Sequence, residues 1–374
     1  MPSSPPPPGA AGELVPPWLR ALPLAPEFHP TEAEFADPVA YILKVEPAAA
    51  PFGICKVVPP CAQPPRKTTL ANLARSFAAL RPSSSSSDGA NPSFPVRHQY
   101  VGLCPRRPRP AIQPVWLSAR RYTLPQFESR AAAARRPLLA RLGVPASKHH
   151  NGLSPLDHEA LFWRAAAADR PVTVDYASDM PGSGFSAAAR AAQPHPAHVG
   201  DTAWNMRAAA RSPGSLLRFV RDDVPGVTTP MLYVGMLFSW FAWHVEDHDL
   251  HSINYMHLGA AKTWYGVPRD AALAFEDVVR VHGYGGEVNA LGEAAAALRV
   301  SSATSHVLCF PDCQVILRNW GAETFATLGN KTTLMSPEVL VSSGVPCCRL
   351  VQNAGEFVVT FPGSYHSGFS HGEH

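Results

Sequence analysis

Short apolar stretches separated by turn-forming residues dominate the second half of the chain. Four of them are rich in aromatic and β-branched side chains, at residues 231–246, 252–258, 262–267 and 356–362. This composition is typical of β-strands, whereas residues 268–282 place their apolar side chains at helical spacing. Many short strands with few helices favour a barrel or a sandwich over a helical bundle. The pattern therefore predicts a double-sheet jelly-roll core, mainly β with flanking helices.

A smaller compact unit is expected near the N-terminus. Thr31 is a suitable helix N-cap, and the apolar residues that follow it recur at helical spacing up to Val45. Residues 53–58 then have the composition of a strand that ends at two prolines. We expect a small α/β module at residues 26–66, preceded by a disordered, proline-rich stretch at residues 1–25.

The composition changes between the two compact regions. Residues 67–153 contain a serine run and proline–arginine repeats, so we expect a basic linker there. Helices are expected at residues 156–168 and 201–223, and a strand at residues 171–176. The jelly-roll domain should occupy residues 154–374.

Charge is unevenly distributed along the chain. The whole chain has 32 basic and 29 acidic residues, for a net charge of +3, but residues 51–150 contain 16 basic and two acidic ones, for a net charge of +14. Such a segment can contact nucleic acid non-specifically by releasing counterions from phosphates. The other interpretation is a solvated, arginine-rich linker, and the sequence does not separate the two.

The cysteines and the longest uncharged stretch indicate in which cellular compartment the protein folds and whether it spans a membrane. Seven cysteines at irregular spacing do not form a disulfide framework, which favours a reducing environment. The N-terminal residues do not have the pattern of a secretory signal. Residues 224–243 are uncharged and near the length that spans a bilayer, but they contain several turn-forming residues. We expect a buried strand pair there and a soluble protein with no membrane partner.

A candidate metal site follows the most apolar strand. His244 and Glu246 are two residues apart, and in a strand such residues face the same side. With a distant histidine they would form the two-histidine, one-carboxylate site of non-haem Fe(II) oxygenases, which leaves positions open for a cosubstrate and O2. We choose His366, after the last predicted strand, as the third ligand.

Other residues near this pair bear on the choice of metal. His248, His251 and His257 could indicate zinc, but His248 and His251 have no carboxylate or cysteine companion at zinc-site spacing, and a structural role fits better. Lys262 lies on an otherwise apolar strand, where a lysine costs free energy unless it meets an anion. The far carboxylate of a cosubstrate such as 2-oxoglutarate would be that anion.

Long segments of the chain resemble a known family. Residues 233–255, continued by residues 262–268, resemble the JmjC domain of histone lysine demethylases, and residues 26–60 resemble the JmjN module that accompanies it. The sequences Trp-His-Val-Glu-Asp-His-Asp-Leu-His and Tyr-His-Ser-Gly-Phe-Ser-His-Gly resemble most the plant relative-of-early-flowering branch. The resemblance implies a double-stranded β-helix, or cupin-like, JmjC core beside an α/β JmjN module, in a nuclear protein that regulates chromatin.

The resemblance also implies roles for individual residues. His244, Glu246 and His366 would bind Fe(II). The 2-oxoglutarate cosubstrate would be held by five residues spread along the chain, namely Tyr176, Phe241, Asn254, Lys262 and Lys331. The methylated lysine would occupy a pocket at Gly226 and Tyr233, where contact between an aromatic ring and a quaternary ammonium is favourable.

The implied activity is oxidative removal of N-methyl groups from lysines of histone H3. Fe(II), 2-oxoglutarate and O2 would hydroxylate a methyl group, which then leaves as formaldehyde. Because no nitrogen lone pair is needed, trimethyl-lysine can be a substrate. The plant branch implies the trimethylated lysine-27 mark, with lysine-9 and lysine-4 as alternatives, and the partner would be the H3 tail of the nucleosome.

The sequence departs from the family in three places. Residues 292–323 interrupt a short link. Their His306, Cys309 and Cys313 could indicate a metal site, but we favour a retained intron or a gene-model artefact. Asn330 replaces a zinc-binding residue of animal relatives, so no structural zinc is expected.

The third departure is at the C-terminus, where the family's last core strand and zinc fingers are expected to be missing. The alternative to an active demethylase is therefore an inactive or unstable truncated JmjC protein that acts as a chromatin-associated binding module. A jelly-roll enzyme that uses its metal for hydrolysis or isomerisation is a more distant alternative.

Overall fold

The structure is a computed structural model that describes seven segments of the chain. These are residues 14–80, 92–102, 115–149, 152–168, 170–187, 196–283 and 333–372. Their strands are β1 (Glu27–Phe28), β2 (Ile54–Val57), β3 (Ser93–Val101), β4 (Val115–Thr123), β5 (Val172–Pro181), β6 (Met231–Gly235), β7 (Trp240–His244), β8 (Ser252–Tyr255), β9 (Lys262–Val267), β10 (Cys348–Gln352), β11 (Phe357–Thr360) and β12 (Tyr365–Ser370). Their α-helices are α1 (Pro17–Ala21), α2 (Glu32–Phe35), α3 (Pro38–Ala49), α4 (Arg66–Ala79), α5 (Leu124–Arg141), α6 (Pro155–Ala167), α7 (Ala272–Val278) and α8 (Pro337–Ser342). No helix in these segments is both long and apolar enough to cross a membrane.

These strands form three four-stranded sheets. Their orders are β10-β9-β12-β7, β1-β2-β11-β8 and β4-β3-β5-β6, and the pairings are antiparallel except that of β1 with β2. Buried side chains of α5, α6 and α7 share the main hydrophobic core with two of the sheets. The architecture is mainly β with flanking helices, as predicted, and is consistent with a jelly-roll core.

The first sheet brings together residues that are far apart in the sequence. β9 is buried along its whole length and lies between β10 and β12. Lys262 at its start is opposite Gln352 on one side and Ser370 on the other. On β12, His366 is opposite His244 of β7, and a bulge follows it. The register therefore places two histidines from distant strands side by side.

The N-terminal module is part of the second sheet. β2 pairs with β11, which in turn pairs with β8, so the module supports a strand of the core directly. The predicted N-cap is confirmed, because Thr31 and Glu34 form a capping box at the start of α2. The helix divides in two because Asp37 caps α3, which begins with Pro38. Phe35 at the end of α2 stacks on Trp204 at 4.8 Å.

The expectation of a linker at residues 67–153 is wrong for the part that the structure describes. Residues of this range form most of α4 and all of β3, β4 and α5, and β3 is an interior strand of the third sheet. Phe77, Phe94 and Phe127 from these elements are buried and pack against one another. The serine run and the proline–arginine repeats, which produced the expectation, lie outside the described residues.

β3 contains a proline, a residue that is uncommon inside a sheet. Proline has no N–H to donate to a neighbouring strand. Pro95 pairs with Arg121 of β4, whereas pairing with β5 on the other side begins only at Arg97. The ring therefore lies where β5 requires no hydrogen bond from it.

Other sequence predictions have mixed outcomes. The helix at residues 156–168 and the strand at 171–176 are confirmed as α6 and β5, and the uncharged stretch at 224–243 contains β6 and most of β7. The helix expected at 201–223 is wrong, because only short 3-10 turns occur there. Pro213 and Gly214 interrupt any longer helix. The stretch at residues 1–25 is not disordered throughout.

Within that stretch, residues 14–25 include α1, whose Leu19 is fully buried. Residues 1–13, the insertion at 292–323 and Asn330 lie outside the described residues.

Candidate metal centre

Three predicted ligands meet at the ends of β7 and β12. His244 ends β7 and is paired across the strands with His366, and the two imidazole rings are 4.3 Å apart between centroids. Glu246 follows with extended backbone angles, so its side chain lies on the same side as that of His244. One nitrogen or oxygen atom from each residue lies within 4.8 Å of the others. The structure thus brings the three side chains close enough to share one ion.

Backbone carbonyls fix the orientation of both imidazoles. Nδ1 of His244 lies 2.8 Å from the carbonyl oxygen of Ala242, and Nδ1 of His366 lies 3.1 Å from that of Ser364. A carbonyl can only accept, so each Nδ1–H donates. In a neutral ring this leaves Nε2 with its lone pair, and Nε2 of His366 is 3.5 Å from Oε1 of Glu246. Such partners are those that orient metal-binding histidines.

The electrostatics of the site favour an ionised carboxylate. Burial raises the pKa of Glu246, but the hydrogen bond and charge of His366 and the charge of His244 outweigh it, and the pKa lies well below its usual range. Two imidazole nitrogens and one carboxylate oxygen are suited to a first-row metal such as Fe(II). Among the described residues, this is the one group of three such side chains that could hold a metal ion.

The other histidines near the triad have protein partners. His251 Nε2 is 3.2 Å from Glu46 of α3, and the half-buried His257 packs against the rings of Phe185 and Tyr255. Burial lowers the pKa of His257 to about 4. These contacts agree with structural roles for both residues.

A buried cation lies on β9, the strand next to β12. Lys262 is 6% exposed, and its Nζ lies 5.8 Å from the ring centroid of Phe241 and 6.0 Å from that of Trp264. Burial lowers the pKa of Lys262 to about 8. No carboxylate of the described residues forms an ion pair with it. An ammonium group in such surroundings is stabilised by an anionic ligand.

An amide relay connects this strand with Asn254. The indole N–H of Trp264 donates to Oε1 of Gln352 at 2.9 Å, and because an indole can only donate, the amide of Gln352 has one orientation. Its Nε2 then donates to Oδ1 of Asn254 at 3.2 Å. Asn254 is therefore held with its oxygen toward Gln352, and its NH2 group remains as a donor for a ligand. Gln352 is fully buried, and no sequence motif had pointed to it.

The close approach of the Gly368 backbone to Thr263 and to the ring of Phe241 holds that ring in place. A Cβ atom added at Gly368 would lie 2.2 Å from the carbonyl oxygen of Thr263 and 2.7 Å from Cζ of Phe241. Only glycine fits there without a shift of the backbone. Phe241 thus packs on Trp264, at 4.6 Å between centroids, and stays beside Lys262.

The remaining predicted site residues lie around β5 and β6. Tyr176 on β5 is 5% exposed, and its ring centroid is 6.3 Å from that of Tyr233 on β6. Gly226 has a φ of +82° and donates its N–H to the carbonyl of Thr229, in a turn that leads into β6. Lys331 lies outside the described residues.

Comparisons with known proteins agree with this geometry. Residues 231–373, which contain the whole triad, match the family model described as "JmjC domain, hydroxylase". Residues 26–59 match the jmjN domain. The chain therefore carries a JmjC hydroxylase domain, a cupin-like fold, together with a JmjN module.

Similar proteins define the group more narrowly. The lysine-specific demethylase JMJ705 of Oryza sativa subsp. japonica is 68% identical over 381 residues, which cover 100% of this chain and 26% of the relative. The lysine-specific demethylase REF6 of Arabidopsis thaliana is 52% identical over 370 residues, 95% of this chain and 24% of the relative. With both matched domains and these identities, the chain is similar to JmjN/JmjC demethylases of the REF6-like type. It spans about a quarter of the length of these relatives.

Proposed function

We propose that this chain contains the catalytic unit of an Fe(II)- and 2-oxoglutarate-dependent demethylase that acts on methylated lysine of histone H3. The observation that carries the proposal is the convergence of His244, Glu246 and His366 inside a matched JmjC hydroxylase domain. Relatives named lysine-specific demethylases support the substrate class. The trimethylated lysine-27 mark is the proposed target, with lysine-9 and lysine-4 as alternatives.

The triad fits the metal through its donor set. Nε2 of His244, Nε2 of His366 and a carboxylate oxygen of Glu246 would hold the iron, with Nδ1 of each imidazole engaged by a carbonyl. Bound iron, with 2-oxoglutarate and O2, would supply the oxidation that removes an N-methyl group as formaldehyde. The protein's own contribution is to hold the two imidazoles and the carboxylate so that one donor atom of each faces a common point.

Several residues would position the cosubstrate. The ammonium of Lys262 would meet the far carboxylate of 2-oxoglutarate, and Tyr176 and the NH2 group of Asn254 would donate hydrogen bonds to the molecule. Phe241 would pack on it and exclude water, since its ring already lies beside Lys262. Lys331 is proposed from its sequence match alone.

The methyl-lysine pocket would lie at Gly226 and Tyr233. The carbonyl oxygen of Gly226 and the ring and hydroxyl of Tyr233 would receive the N-methyl groups, because both present negative charge density to a cation. The histone H3 tail in the nucleus is the proposed partner. Exposed arginines between the two domains, such as Arg136 and Arg141, support the further proposal of non-specific contact with nucleic acid.

A peptide panel tests the proposal. H3 peptides trimethylated at lysine-27, lysine-9 or lysine-4 are incubated with the chain, Fe(II), 2-oxoglutarate and O2, and formaldehyde is measured for each. The lysine-27 peptide should give the fastest release, and a His366→Ala variant should give none. Absence of formaldehyde from all three peptides would contradict the enzymatic proposal, and binding without turnover would favour a binding module instead.

A further inference from the structure

Three residues near the proposed methyl-lysine pocket share one face of the third sheet. Arg97 of β3 is opposite Tyr176 of β5, and Tyr176 is opposite Gly235 of β6. Residues that oppose each other across antiparallel strands project to the same side. Tyr233 is two residues before Gly235, so it projects to that side as well. The face therefore combines β3, which lies outside both matched domains, with two strands that frame the pocket.

Asp179 connects Arg97 with Tyr233. Its Oδ2 lies 3.1 Å from Nη2 of Arg97, and its Oδ1 lies 3.2 Å from the hydroxyl of Tyr233. The register of β5 with β6 shifts between Ala177 and Met180, and within this irregularity Asp179 has a φ of +58°. Backbone strain of this kind persists only where surrounding contacts hold it. The ion pair and the hydrogen bond are such contacts.

The direction of the hydrogen bond has a chemical consequence. An ionised carboxylate only accepts, so the hydroxyl of Tyr233 must donate to Asp179. The hydrogen of that hydroxyl then lies toward Asp179, and the oxygen lone pairs are left for the methyl groups of a cationic ligand. Partial desolvation of the Tyr233 hydroxyl and the nearby Asp179 raise the pKa of the phenol above its usual value, so the hydroxyl stays protonated at neutral pH.

We propose that Arg97 is a positioning residue for methyl-lysine recognition, which acts by holding Asp179 so that the Tyr233 hydroxyl presents its lone pairs to the N-methyl groups. The inference rests on the proposed function, since it assigns Tyr233 to the substrate pocket. Arg97 and Asp179 are about two-fifths exposed, and ion pairs of that exposure contribute little to stability. The effect of losing Arg97 should therefore appear in recognition rather than in folding.

The test compares Arg97→Gln with Arg120→Gln in the full chain. Arg120 is an exposed arginine on the neighbouring strand β4, so its replacement removes the same charge from the same sheet. Binding of trimethylated and unmethylated H3 peptides is measured by fluorescence anisotropy without 2-oxoglutarate, so that no turnover occurs. Both peptides carry the same charge, and the ratio of their dissociation constants cancels non-specific electrostatic effects.

Arg97→Gln should reduce the preference for the trimethylated peptide by about three- to tenfold, the loss expected from one misdirected hydrogen bond. Arg120→Gln should leave the preference unchanged, and Arg97→Lys should restore part of it. In a Tyr233→Phe background, where no hydroxyl remains, Arg97→Gln should have no further effect.

Two failures have different meanings. If the wild-type chain does not prefer the trimethylated peptide, the proposed function falls. If it does and Arg97→Gln binds both peptides as the wild type does, the proposed function stands and the role of Arg97 is refuted. A loss of preference that persists in the Tyr233→Phe background would also overturn the role, because the effect would not pass through that hydroxyl.

Discussion

Replacing Gln352 with glutamate should weaken 2-oxoglutarate binding, although Gln352 itself does not touch the proposed ligand. The side chain is fully buried, and its Nε2 lies 3.0 to 3.2 Å from three acceptors, which are the two oxygens of Asn254 and the carbonyl of Glu356. Glutamate retains the acceptor for Trp264 but offers one hydrogen at most, when protonated. At least one donor is lost, and Oδ1 of Asn254 then faces another oxygen.

The magnitude follows from these contacts. A lost buried hydrogen bond with an unsatisfied acceptor costs about 1–3 kcal/mol of stability. If the Asn254 amide rotates to relieve the contact between oxygens, its NH2 group no longer faces the cosubstrate, and the lost hydrogen bond to a charged group, about 1.5 kcal/mol, corresponds to about a tenfold rise in KM for 2-oxoglutarate.

The assay is conversion of 2-oxoglutarate to succinate over a range of 2-oxoglutarate concentrations, with thermal unfolding measured in parallel. Gln63→Glu is the matched control, because the exposed Gln63 also donates its amide to a carbonyl, that of Ala354, and has no hydrogen bond to Trp264, Gln352 or Asn254. Gln352→Glu should raise KM and lower Tm, whereas Gln63→Glu should leave KM unchanged. A lowered Tm with an unchanged KM would refute the relay, since the residue would then be structural only.

Three further predictions concern the same core. Lys262→Ala should raise KM for 2-oxoglutarate by at least about thirtyfold, because a buried charge pair is lost. The affinity of the wild type for 2-oxoglutarate should fall as the pH rises above about 8, where the Lys262 ammonium loses its proton. Lys262→Arg, measured by the same titrations, should show no such fall. Gly368→Ala should lower the free energy of unfolding by about 1–3 kcal/mol, measured by urea denaturation, because the new methyl group overlaps backbone and Phe241. Arg349→Leu should destabilise the chain by about 3–5 kcal/mol at pH 8 by leaving Glu159 buried without its cation. Burial raises the pKa of Glu159 in the folded chain to about 7, above its value in the unfolded chain, so the free-energy cost of the buried charge grows as the pH rises from about 4.5 through 7. The destabilisation caused by Arg349→Leu should therefore be smaller at pH 5.5 than at pH 8. An equal loss of stability at both pH values would contradict this.

The triad could be predicted because the spacing of its residues along the chain is a local signal. His244 and Glu246 are two residues apart at the end of an apolar strand, and period-two alternation alone places them on one side. His366 follows another clear strand, and Lys262 is conspicuous as a cation in an apolar run. Each of these signals lies within a few residues of sequence, and the register of β12 with β7 then brings them together.

The supporting residues could not be predicted in the same way. Gln352 and Arg97 matter through cross-strand neighbours that are far away in sequence, and nothing in their local sequence distinguishes them from ordinary polar side chains. Composition misled the interpretation of the segment around β3, because prolines and arginines near it concealed the alternation of buried Phe94 and Val96. Pairing with β5, rather than local propensity, stabilises that strand.

The metal content of the purified chain tests the central claim most directly. The chain is loaded with Fe(II) without oxygen, desalted and analysed for iron beside His366→Ala and the exposed-histidine control His29→Ala. We expect close to one iron per chain for the wild type and for His29→Ala, and almost none for His366→Ala with its fold retained by circular dichroism. Equal iron in the wild type and His366→Ala, or none in either, would contradict a metal centre at His244, Glu246 and His366.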